Sequence, residues 1–123
     1  MDEKELKQRT KQFALRVMKL AGSLPNNFIA KAIGSQLVRA GTSAGANYRA
    51  ACRARSQAEF IAKLGIVEEE ADESAYWMEL IIEAKLMPDS LIGPLLQEAS
   101  EITAIISASR RTAKRTAASH SQE

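Results

Sequence analysis

The chain is poor in the residues that most often carry chemistry. Of its 123 residues one is cysteine, Cys52, and one is histidine, His120. A lone cysteine excludes an intramolecular disulfide and the paired-cysteine spacing of a zinc ribbon. A lone histidine in the C-terminal tail leaves Ser43, Ser56 and Cys52 with no imidazole base in any ordered segment. It also excludes the Glu-x-x-His pairs with which di-iron bundles hold their metal, and the Glu68-Glu69-Glu70 run has no partner ligand. Aromatic residues make up 5% of the chain, which leaves few platforms on which a base could stack. Gly41-Thr42-Ser43-Ala44-Gly45 runs on into Ala46-Asn47, where a phosphate-binding loop would offer Lys and Ser/Thr, so these glycines are read as packing residues. No stretch alternates apolar and polar residues at period two, which argues against a sheet. No apolar run approaches the length of a bilayer crossing, and Met1-Asp2-Glu3-Lys4-Glu5 is polar and acidic where a signal peptide would be basic and then apolar. The expectation is a cytoplasmic protein with no membrane contact, no metal, no cofactor and no enzymatic activity.

What is present is helical periodicity. Leu6, Thr10, Phe13, Val17 and Leu20 repeat at four-three spacing before Gly22-Ser23 and Pro25 stop the first helix. Ile29, Ile33, Leu37, Ala40, Ala44, Tyr48 and Ala51 share one face of a second helix predicted over about 28–54. Ser56-Gln57-Ala58-Glu59 has the spacing of a capping box, in which the serine side chain accepts from a backbone N–H three residues on and Glu59 reaches back to the cap's own N–H. From there Phe60, Leu64, Val67, Ala71, Ser74, Met78 and Ile81 mark a third helix to about Leu86. Asp89 or Ser90 can cap a fourth, whose stripe is Ile92, Leu95, Ala99, Ile102, Ile106 and Ser109, ending near Thr116. Four helices with short links predict an all-α, antiparallel, up-down-up-down four-helix bundle. One domain over 1–118, with a frayed tail over 119–123, accounts for the whole chain.

The third helix carries a second apolar face. Ala62, Ile66, Trp77 and Leu80 project away from the core stripe, interleaved with acids that include Glu70 and Glu73, and this face is read as a subunit interface. Charge is segregated along the chain. Residues 1–58 carry eleven Lys/Arg against three acids, and residues 59–101 carry two against eleven. Arg39, Arg49 and Arg53 fall within one quadrant of the second helix, with Arg55 in the corner beyond. Guanidinium groups suit phosphate and carboxylate equally. Two readings follow: these arginines pair with third-helix acids of the same or a neighbouring chain, or they form a nucleic-acid surface. Composition alone favours pairing, because the block is only moderately basic and has little to stack on.

Asn47-Tyr48-Arg49-Ala50-Ala51-Cys52-Arg53-Ala54-Arg55-Ser56, Glu59-Phe60-Ile61-Ala62-Lys63-Leu64 and Glu68-Glu69-Glu70-Ala71-Asp72-Glu73-Ser74, followed by Tyr76-Trp77 and Glu79-Leu80, resemble the small bacterial proteins encoded in intervening sequences of 23S ribosomal RNA genes. Many members of that family carry Ala-Asn-Ile-Ala-Glu-Gly where this chain has Ala46-Asn47-Tyr48-Arg49-Ala50-Ala51, so an acid-glycine turn is replaced by an arginine-bearing helix. The resemblance implies a bundle that assembles as a ring, commonly a pentamer, with no established enzymatic activity. A bundle related in fold, the accessory variability determinant of diversity-generating retroelements, forms a basic pentameric barrel that binds nucleic acid and a reverse transcriptase. The functional expectation is a homo-oligomeric, non-enzymatic interaction module that binds RNA or DNA through its basic face. The alternative is a protein-binding or assembly module with no nucleic-acid contact. Either way, dialysis against a chelator is expected to leave helicity and oligomer mass unchanged. Iron, zinc or manganese retained in stoichiometric amount would contradict the metal-free expectation.

Overall fold

The computed structural model describes the backbone of residues 1–121 and the side chains of residues 1–119. Four helices follow in order: α1 (Glu3–Gly22), α2 (Phe28–Cys52), α3 (Gln57–Glu83) and α4 (Asp89–Ser121). Each of the first three starts on a side-chain cap that satisfies an otherwise orphaned N–H. Asp2 accepts from the Glu5 N–H at 2.8 Å, Asn27 from Ala30 at 2.9 Å and Ser56 from Glu59 at 3.0 Å. The reciprocal arm of the Ser56 box differs by one residue from expectation. Glu59 accepts from the Arg55 N–H at 3.2 Å, because the chain turns into the helix at Arg55 and presents that amide instead.

α3 ends three residues earlier than its apolar pattern suggests. Ala84 is the C-cap, and Lys85 adopts a left-handed backbone with φ 57°. The Leu86 N–H then donates to the Ile81 carbonyl and the Lys85 N–H to the Ile82 carbonyl, both at 3.0 Å. This is a Schellman closure with lysine at the position that glycine ordinarily fills. Leu86 and Met87 still pack on the core, which is why the apolar periodicity runs past the helix end. α4 is longer than expected and continues to Ser121; residues 122 and 123 of the expected frayed tail lie outside the described residues.

Contact registers show how consecutive helices run. Along α2, Gly34 meets Leu24 in the link after α1, and Gly41 and Gly45 meet Val17 and Thr10 of α1, a descending order in sequence. Arg39 of α2 reaches Glu70 and Glu73 of α3, on either side of the short link 53–56. Gln57 of α3 donates to the Ala113 carbonyl of α4 at 3.1 Å, and Glu68 meets Arg110. Each consecutive pair is therefore antiparallel. α1 and α4 touch least, so the bundle is tightest along α1–α2–α3–α4 and most open at its closing seam.

The core follows the stripes predicted for α1, α3 and α4, except that Leu20, Phe60 and Ser109 are only half-buried; Phe13, Leu37 of α2, Leu64, Met78, Ile92 and Ile102 are fully buried. Thr10 and Ser74 are buried with them and return their hydroxyls to carbonyls one turn back, Leu6 at 3.0 Å and Glu70 at 2.8 Å. The second helix departs from expectation at its start. Ile29 is 54% exposed, while Ala30 and Gly34 turn inward. The reason is that α2 is covered by α1 as well as α3, and α1 comes so close that the inward arc is taken by small residues. At Gly41 an added Cβ would lie 2.8 Å from Val17 Cγ1, and at Gly45 it would lie 3.2 Å from the Thr10 carbonyl oxygen.

Two substitutions test this packing in urea denaturation. Gly41→Ala gains helix propensity of about 1 kcal/mol but meets Val17, so a net loss of about 1–3 kcal/mol is expected from overpacking. Val17→Ala in the same background should recover part of that loss; a stabilised Gly41→Ala would contradict the close approach. Lys85→Gly should stabilise the chain by about 1 kcal/mol by removing the left-handed penalty.

Candidate functional site

The arginines do not act as one set. Arg39 is tied into the bundle: its Nη1 lies 3.0 Å from Glu70 Oε2, its Nη2 2.6 Å from Glu73 Oε2, and its Nε donates to Gln36 at 3.0 Å. The hydrogen bond to Glu73, above all, raises the guanidinium pKa. The pairing reading therefore holds for Arg39, and its placement with the free basic face is corrected. The cause is that Glu70 and Glu73 stand one turn apart on α3, directly across the seam.

Two further arginines do the same elsewhere. Arg9 of α1 forks onto Glu98 of α4 at 2.8 and 2.6 Å, with Glu101 at 3.4 Å, and Arg110 of α4 reaches Glu68 of α3 at 2.6 Å. The seams α1/α4, α2/α3 and α3/α4 thus each carry an Arg–Glu tie. Among the described residues the α1/α2 seam carries none. α2 contains no acid, and the acids of α1 stop at Glu5, so nothing on either helix can neutralise the cations along most of that seam.

Those cations gather around one groove. Lys4, Lys7 and Lys11 line one bank, Arg49 and Arg53 the other, around a hollow of about 510 Å³ floored by Ala14, Thr42, Gly45 and Ala46. The lysines recur at three and four residues, so they share a face of α1 and span about 10 Å of its axis. Arg49 and Arg53 are one turn apart, about 6 Å. A second hollow of about 400 Å³ shares Arg49 and Arg53 and adds Arg55, Lys63 and Glu59 from the start of α3. Arg49, Arg53 and Arg55 are thus brought together as expected, without Arg39. No ion pair engages Lys4, Lys11, Lys63 or these three arginines among the described residues, and Lys7 has only an exposed contact with Glu3 at 4.0 Å. Lys4, Lys7, Lys11 and Lys63 are the residues that sequence reasoning missed. The signal for the first three was their position off the α1 stripe, but only the α1/α2 register shows that they face Arg49 and Arg53.

The apolar face of α3 is more mixed than its pattern suggests. Ala62 is exposed, Ile66 is 37% exposed, and Leu80 is half-buried. Glu70 and Glu73 are engaged within the chain by Arg39. Trp77 packs against the core, with Tyr76 edge-on at 5.2 Å, and its enclosed Nε1 has no acceptor among the described residues. Its indole is therefore partly a core group. Phe28, Ile29 and Leu91, at the opposite end of the bundle from the basic groove, are more exposed than any large apolar residue of α3.

The remaining chemistry is sparse. Burial pushes the Cys52 thiol above its ordinary range, so it is a neutral thiol and a weak nucleophile near pH 7. The described residues contain no group of three or more His, Cys, Asp or Glu placed to hold a metal ion. None of their helices is long and apolar enough to cross a membrane. A larger hollow, about 650 Å³, lies between the end of α1 and the α3–α4 link, with walls that include Leu20, Leu86, Met87 and Leu91. Its only charged lining residues are Arg16 and Lys19, so it lacks the convergence of cations found between α1 and α2.

Comparison with known proteins bears on the whole chain. No curated protein matches it. A 1.70 Å crystal structure of a protein of unknown function from the S23 ribosomal protein family of Bacteroides thetaiotaomicron VPI-5482 superposes with a TM-score of 0.82. The two are 32% identical, over 90% of this chain and 99% of that one. With residues 2–108 matching the model of the 23S rRNA-intervening sequence proteins, and helices and core stripes in place across that span, the chain belongs to that family.

Proposed function

We propose that this chain is a cytoplasmic, non-enzymatic interaction module that binds nucleic acid in the groove between α1 and α2. The observation that carries this reading is the uncompensated charge of that seam. Elsewhere in the bundle an arginine at a helix seam meets a glutamate, whereas Lys4, Lys11, Arg49 and Arg53 face one another with none. Cations held together without counter-charge repel, and a polyanion relieves that repulsion while releasing its own condensed counterions. The lining of the groove holds no cysteine, histidine or carboxylate, and the described residues hold no group of three or more metal-ligating side chains.

Self-assembly belongs to the same proposal, with a ring, most simply a pentamer, as the assembled form. Exposed Ile66 and Tyr76 on α3 support it, since large apolar groups seldom collect on an outer face without a partner. A ring would repeat the basic groove, so that weak single-subunit sites act together by avidity. The same exposed groups support the second reading, an assembly module that touches no nucleic acid, in which the free arginines meet acids of a neighbouring subunit.

Fluorescence anisotropy with labelled RNA, across a salt series, separates the two. Arg49→Ala with Arg53→Ala should retain helicity and sedimentation mass, lose most binding, and flatten the salt slope by about 0.7 for each phosphate contact to a single strand. Arg39→Gln should leave RNA affinity nearly unchanged, because its guanidinium is occupied by Glu70 and Glu73. Absence of RNA and DNA binding by the wild type at low salt, or a double mutant that dissociates while keeping its affinity, would contradict the nucleic-acid reading. Ile66→Glu is the cleaner probe of assembly than a change at Trp77, which would also disturb the core. It should lower the sedimentation mass with the far-ultraviolet spectrum intact.

A further inference from the structure

We infer that the α1/α2 groove holds the sugar–phosphate backbone of a single strand and does not read its bases, so that the chain binds single-stranded nucleic acid without sequence preference. This rests on the nucleic-acid reading above and specifies its ligand.

Three features of the groove point this way. The first is the absence of any ring on which a base could stack. Among the six aromatic residues, Phe13 and Tyr48 are buried in the core and Phe28 stands at the opposite end of the bundle. Phe60, Tyr76 and Trp77 belong to α3, and none of the six lines the groove. Sequence-specific recognition of a single strand commonly splays a base onto an aromatic ring or an arginine plane and then hydrogen-bonds its edge. The groove offers no ring, and its two guanidiniums are the forks that phosphate oxygens engage.

The second feature is the scarcity of groups that discriminate one base edge from another. Gln8 is the only amide in the lining. Thr42 lies on the floor, and its hydroxyl already donates to the Val38 carbonyl at 2.7 Å. The remaining polar groups are the five cations. Lysine ammonium groups act as point charges, and the two guanidiniums suit phosphate oxygens as a planar fork.

The third is shape. A concavity of about 510 Å³ with cations on both banks admits one narrow backbone, whose phosphates can reach either side. The phosphates of a double helix lie on a convex cylinder, and only one bank at a time can approach them. The second hollow, beyond Arg49 and Arg53, extends toward Arg55 and Lys63 with Glu59 as its one acid, so cations still outnumber carboxylates along the track.

The test is a set of labelled single-stranded RNA oligomers of A, C and U, of one length, with a duplex carrying the same number of phosphates. Long-chain inorganic polyphosphate serves as competitor. The three homopolymers should bind within about threefold of one another, the duplex more weakly by about tenfold, and polyphosphate should displace all of them. Arg49→Ala with Arg53→Ala should weaken the three homopolymers in parallel. A preference of about tenfold or more for one base, tighter binding of the duplex, or RNA binding that polyphosphate cannot displace would overturn this inference and leave the proposed function standing. Failure of every nucleic acid to bind at low salt would instead remove the proposed function.

Discussion

The close approach of α1 and α2 is the constraint on which the rest of the molecule depends. At Gly41 a Cβ would clash with Val17 and at Gly45 it would crowd the Thr10 carbonyl, so the helices lie nearer than larger side chains would favour. That proximity turns Ala30 and Gly34 inward and leaves Ile29 exposed at the first turn. It also sets Lys4, Lys7 and Lys11 across a shallow floor from Arg49 and Arg53. Glycine in a helix costs roughly 1 kcal/mol against alanine, and α2 accepts that cost at both positions of contact.

Charge follows from the same arrangement. Acids are confined largely to α3 and α4, and arginines at three seams reach them across helix boundaries. Exposed ion pairs contribute about 0–1 kcal/mol each, while one fully buried leucine or phenylalanine side chain contributes about 1.5–3 kcal/mol. The core therefore holds the bundle, and the Arg–Glu ties mainly set which faces meet. α2 brings no acid, so its seam with α1 keeps its charge. The groove is thus a by-product of how the acids are distributed, which needs no special local motif.

Most of the fold was legible because burial in a bundle follows one periodicity. The stripes from Leu6 to Val17, Leu64 to Ile81 and Ile92 to Ile106 are buried as the four-three spacing requires. The cap at Ser56 depends on local chain geometry and is equally readable. What was not legible depends on distance in sequence. The partner of Arg39 lies 31 residues away on another helix, and its choice of Glu70 and Glu73 follows from register. The basic groove needs the same information: the lysines of α1 are unremarkable until α2 is laid against them. The early end of α3 was hidden for a different reason, since Leu86 and Met87 remain apolar and packed after the helix has closed at Lys85.

Lysine protection on binding, read by mass spectrometry after brief acetylation with and without a saturating single-stranded RNA, tests the central claim most directly. Lys4, Lys7, Lys11, Lys31 and Lys85 are exposed in the isolated chain and Lys63 is half-buried, so each lysine reports on its own surroundings. The account predicts protection of Lys4, Lys7 and Lys11, with Lys63 following where the strand continues past Arg53, and unchanged labelling of Lys31 and Lys85 at the opposite end of the bundle. Protection of Lys31 or Lys85 with Lys4, Lys7 and Lys11 unaffected would place the ligand elsewhere and contradict it.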